Sequence, residues 1–64
     1  PVITYLIQLR VRLAALMLRD TELSITEILH RVGFNDHTHF GRTFRKHTGY
    51  SPREYRKHFC WMLH

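Results

Sequence analysis

The stretch "GFNDHTHFGRTF", Gly33 to Phe44, decides the fold. It holds an acid, two histidines with one residue between them, and three phenylalanines. Those residue types suit a metal-binding knot as well as the turn and second helix of a helix-turn-helix. Helical spacing separates the two readings. At 3.6 residues per turn, positions two apart point about 200° from each other. His37 and His39 on one helix therefore cannot share an ion. Asp36 and His39 could, but two ligands fall short of the four that a structural zinc wants. No metal site is expected.

Working outward, "SITE" (Ser24 to Glu27) is a capping box, in which the Ser24 hydroxyl accepts from the Glu27 N–H and Glu27 reaches back. Leu23 and Ile28 are spaced for a hydrophobic staple across that cap. Ile25, Ile28, Leu29 and Val32 recur at spacings of three and four, so a helix is predicted over 24–32. Gly33 follows as the residue that can turn left-handed. Asn35 or Asp36 caps the next helix, predicted over 36–48 and stopped by Gly49. Ser51 is a natural cap and Pro52 fits the first position of a short last helix carrying Tyr55, Arg56 and Phe59. Upstream, Val2 to Arg19 contains no Gly or Pro and reads as one long helix ended by Asp20 and Thr21. Its apolar residues lie on almost every face, which predicts burial from more than one side.

The expected fold is all-α: a long helix followed by a homeodomain-like three-helix unit with the turn Gly33-Phe34-Asn35. Ile28, Val32, Gly33, Phe34, Phe40, Phe44, Gly49, Pro52 and Tyr55 are the expected structural core. Phe40 and Phe44, four apart, share one face. Thr38, Gly41, Arg42 and Arg45 then share the opposite one. Arg42 is the best candidate to read a base, because a guanidinium can donate twice to guanine O6 and N7. Thr38 offers a hydroxyl or a methyl, and His37 stands at the edge of this face. Gly41 would let the helix lie close to DNA, at a cost of about 1 kcal/mol in helix stability. Arg45, Lys46, Arg53 and Arg56 are candidate phosphate contacts, with Lys57 beside them.

Composition agrees. The chain has 64 residues, one domain at most, with ten Lys plus Arg against five Asp plus Glu and a net charge of +5. A pI near 10.2 favours a polyanionic partner, nucleic acid or an anionic membrane surface, although solubility alone also accounts for it. Gln8, Arg10 and Arg12 interrupt the first apolar run well before the ~20 residues of a span, so no transmembrane segment is expected. The first helix is not cleanly two-faced, which fits poorly with lying on a membrane surface, so no membrane partner is expected. The run carries no charged leader or small-residue cleavage site, so no secretory signal is expected. The sequence starts inside a hydrophobic run without Met, so a fragment of a longer protein is expected. Cys60 is the single cysteine, which fits a cytosolic setting. No catalytic constellation and no phosphate-cradling loop are present, so neither enzyme activity nor a cofactor is expected. Arg10, Arg12 and Arg19 read as a solvated stripe.

The run "LSITEILHRVGFNDHTHFGRTFRKHTGYSPREYRK" closely resembles the signature of the AraC/XylS family of bacterial transcription regulators. Ile25, Ile28, Val32, Gly33, Phe34, Phe40, Phe44, Thr48, Gly49, Ser51, Pro52, Tyr55 and Arg56 carry the match. "YLIQLRVRLAALML" (Tyr5 to Leu18) is similar to that family's linker helix. The resemblance implies two helix-turn-helix motifs per regulator, reading successive major-groove segments. This chain resembles the linker helix, 1–20, plus the second motif, 21–64, without the first. Double-stranded DNA is the implied partner, with RNA polymerase as a further one, in the bacterial cytoplasm at the nucleoid. The alternative is a protein interaction module, because an apolar linker without the first motif would expose a strip suited to self-association.

Overall fold

A computed structural model of the chain describes residues 2–59. Those residues fold as α1 (Val2–Asp20), α2 (Ile25–Arg31), α3 (His37–Thr48) and α4 (Pro52–Phe59), an all-α arrangement with no strand among them. Cys60, Trp61 and the end of the 21–64 unit lie outside the described residues.

Each boundary has a local cause. The Thr21 hydroxyl and N–H both donate to the Met17 carbonyl, at 2.6 and 3.0 Å, and close α1. Ser24 caps α2 by accepting from the Glu27 N–H at 3.1 Å. The expected return arm of that box is not made. The Glu27 carboxylate turns instead toward Arg31, 3.5 Å away and one turn on. The chain leaves α2 through Gly33 at φ +97°, with Phe34 N–H donating to the Leu29 carbonyl and Gly33 N–H to that of His30. This is a Schellman ending, which places the residue after the glycine against the last turn of the helix. Phe34 is accordingly buried. Asp36, not Asn35, caps α3, accepting from the His39 N–H at 2.7 Å. Gly49, at φ +87°, ends it.

α4 starts with a fully reciprocated capping box. Ser51 N–H donates to Glu54 at 3.1 Å, and Glu54 N–H donates to the Ser51 hydroxyl at 3.2 Å. Ser51 and Pro52 are the cap and first position expected there, and Glu54 completes the box as a residue not among the expected ones.

Val11, Ala14 and Leu18 of α1 join Ile28, Leu29, Val32, Phe34, Phe40 and Phe44 in one core, with Leu23, Ile25 and Tyr55 packed at its edge. An aromatic chain runs through it. Phe34, Phe40, Phe44 and Tyr55 follow one another at ring separations of 5.1, 5.7 and 5.3 Å. α1 packs against the other three helices. Only one side of α1 is covered by the described residues. Leu6, Leu9, Leu13 and Leu16 remain 39–42% exposed, so the burial from several sides that their pattern predicts is not provided within residues 2–59.

Candidate nucleic-acid interface

Phe40 and Phe44 are fully buried, and they set the rotation of α3 about its axis. The opposite face therefore turns outward, with Thr38, Arg42 and Arg45 exposed and Gly41 half-buried. Arg42, Lys46 and Arg53 are exposed and make no hydrogen bond or ion pair with the described residues. Their donors are free for an external anion. Arg45 differs slightly, since its charge reaches Glu54. The Glu54 carboxyl is held below the usual glutamate value, first by the Ser51 N–H, then by the Ser51 hydroxyl, with smaller help from Arg45 and His58.

A Cβ built at Gly41 would meet nothing within 4 Å. No contact inside the chain demands a glycine there. Gly33 is the opposite case. A Cβ at that position would stand 3.0 Å from Cζ of Arg10, on top of its left-handed φ.

The two histidines of the opening stretch diverge, as helical spacing requires. His37 Nε2 lies 2.8 Å from the Thr26 hydroxyl on α2, whereas the His39 ring meets Phe34 edge-on at 5.5 Å. Among the described residues, no three His, Cys, Asp or Glu side chains cluster to hold a metal.

Two arginines depart from their expected places. Arg56, expected on phosphate, instead donates Nε to the Leu18 carbonyl at 3.2 Å and Nη2 to the Thr21 carbonyl at 3.1 Å. The last carbonyls of a helix lack partners within it and carry partial negative charge, so a half-buried guanidinium is drawn to them. Arg10, expected in a solvated stripe, is half-buried and donates to the Gly33 carbonyl at 3.3 Å. Arg19 of that stripe is paired with Asp20 at 2.9 Å.

Residues 24–48 thus form a helix, a glycine turn and a second helix with an outward cationic face, the framework of a helix-turn-helix domain. Residues 1–58 match the family described as "Helix-turn-helix domain", and the chain belongs to the AraC-type helix-turn-helix family. It is 46% identical over 57 residues to the uncharacterized HTH-type transcriptional regulator YdiP of Escherichia coli (strain K12), covering 89% of this chain and 19% of that protein. It is 43% identical over 53 residues to the HTH-type transcriptional activator RhaS of Escherichia coli O1:K1 / APEC, covering 83% of this chain and again 19% of the relative. The chain therefore spans about a fifth of the length of these relatives. No solved structure gives a significant match.

Proposed function

We propose that this chain is a DNA-reading unit of a bacterial transcription regulator and that α3 enters the major groove of double-stranded DNA. The observation that carries this reading is the division of α3 itself. One face is fully buried through Phe40 and Phe44, and the other presents Thr38, Gly41 and Arg42 outward without internal use. Arg42 takes a guanine edge through two donors. Thr38 and His37 read the neighbouring base edges toward the start of the helix. Gly41 allows the backbone a close approach. Arg45, Lys46 and Arg53 hold phosphates, which gives affinity and orientation without sequence information. Arg56 is left out of that set, because its donors serve the end of α1. The division into a linker helix, 1–20, and a reading unit, 21–64, belongs to the same proposal, as do cytoplasmic action at the nucleoid and RNA polymerase as a further partner.

The test is selection of bound duplexes from a random pool by the full-length protein. A recovered motif with a dominant guanine position supports the reading. Recovery of no motif favours a second one, a protein interaction surface on α1. That second reading draws on the exposed Ile3, Leu6, Leu9, Leu13 and Leu16. An apolar strip of this kind is normally covered by a partner. Analytical ultracentrifugation showing a monomer at high concentration would count against self-association through it.

A further inference from the structure

The bond between Thr26 and His37 links the two helices of the motif on their solvent side. The core under the turn is apolar, so packing alone fixes the separation of α2 and α3 but not the ring of an exposed residue. His37 is the first residue of α3, where the chain has just left its Asp36 cap. An exposed side chain there would sample several rotamers. The Thr26 hydroxyl, at 2.8 Å from Nε2, selects one. An imidazole has two polar atoms, and with Nε2 engaged only Nδ1 is left for an outside partner. A hydroxyl can rotate to donate or to accept. Thr26 can therefore support either neutral tautomer of the ring, with Nδ1 correspondingly an N–H donor or a bare acceptor.

We infer that Thr26, a residue of the non-reading helix, is a positioning residue for base recognition: it holds the His37 ring so that Nδ1 is presented to a base edge in the major groove. This rests on the proposal that α3 reads DNA. The gain is entropic. A ring already fixed in its bound rotamer loses less freedom on binding, so its contact discriminates better between bases. Thr26 thus acts on the affinity for sequences with the preferred base at one position, whereas a phosphate contact acts on all sequences alike. Glu27 and Arg31, the charged neighbours on α2, are paired with each other 3.5 Å apart.

The experiment is selection from a random duplex pool with the full-length protein and its Thr26→Val, Thr26→Ser and His37→Ala variants. Thr26→Val keeps the shape and removes the hydroxyl. It should flatten the preference at the same base-pair position that His37→Ala flattens, by roughly two- to tenfold, the net worth of one hydrogen bond. Thr26→Ser should restore that preference, and the position read by Arg42 should stay as it was. A Thr26→Val profile identical to the parent overturns the inference. So does uniform weakening at every position, which would make Thr26 a phosphate contact. A parent protein that enriches no sequence overturns the base-reading proposal, and this inference falls with it. Because Thr26 is exposed, the variants should fold, and an unfolding curve beside each selection verifies that they do.

Discussion

The guanidinium of Arg56 donates from Nε to the carbonyl of Leu18, thirty-eight residues earlier in the chain, at 3.2 Å. Its Nη2 reaches the Thr21 carbonyl at 3.1 Å, so one side chain of α4 closes the end of α1. Hydrogen bonds from charged groups carry more than neutral ones, so Arg56→Ala should lower stability by about 1.5–3 kcal/mol. Urea unfolding measures this. The salt dependence of DNA binding should keep its slope in the same variant. A slope reduced by one contact, with unchanged stability, would return Arg56 to the phosphate set.

Gly41 lies mid-helix with open space where a Cβ would stand. Gly41→Ala should therefore stabilise the free protein by about 0.5–1 kcal/mol, the difference in helix propensity. The same methyl should weaken DNA binding if α3 seats closely in the groove. Thermal unfolding and a binding titration on one sample read both effects. A stabilised variant with undiminished affinity would show that the backbone does not approach the bases at this point.

Arg42→Ala and Lys46→Ala should fail in different ways. Loss of a bidentate base contact costs roughly 1–3 kcal/mol and relaxes the preference at one base pair. Loss of a phosphate contact weakens all sequences alike and lowers the slope of log affinity against log salt by about one unit. Binding to a matched set of duplexes at several salt concentrations separates the two. An unchanged motif with Arg42→Ala, or an altered one with Lys46→Ala, would contradict the assignments.

Acid should loosen the start of α4. The Glu54 carboxyl titrates below its ordinary value of 4.5 in the folded chain because the Ser51 N–H and hydroxyl favour its charged form. Its stabilisation is complete above the unfolded value, where both states are ionised. It fades as the pH falls below 4.5 and the unfolded chain takes up the proton first. It is gone once the folded carboxyl is protonated too. Glu54→Gln should remove this part of the pH dependence. The comparison is a series of unfolding midpoints from neutral pH to below pH 4.5 for both proteins. Parallel curves for parent and variant would show that the capping box does not carry it.

Much of the fold was legible in the sequence because its signals are local. A cap, a periodic apolar face and a left-handed glycine act over one or two turns of chain. Ser24, Gly33, Gly49 and the pair Phe40 and Phe44 therefore declared α2, α3 and their ends directly. The orientation of Thr38 and Arg42 followed from the same periodicity, since burying one face of a helix exposes the other. Glu54 was equally local, three residues after Ser51, and the same S-x-x-E spacing that revealed Ser24 would have found it.

What only the tertiary structure decided involves residues far apart in sequence. A charge count cannot tell a solvated arginine from one that serves a distant carbonyl. Arg10 meets Gly33 across twenty-three residues, and Arg56 meets Leu18 across thirty-eight. Thr26 and His37 belong to different helices and come together only when Phe34 docks and fixes the angle between them. Local propensity determined where the helices begin, end and bury themselves. Packing determined which polar groups meet between them, because that depends on crossing geometry no single segment encodes.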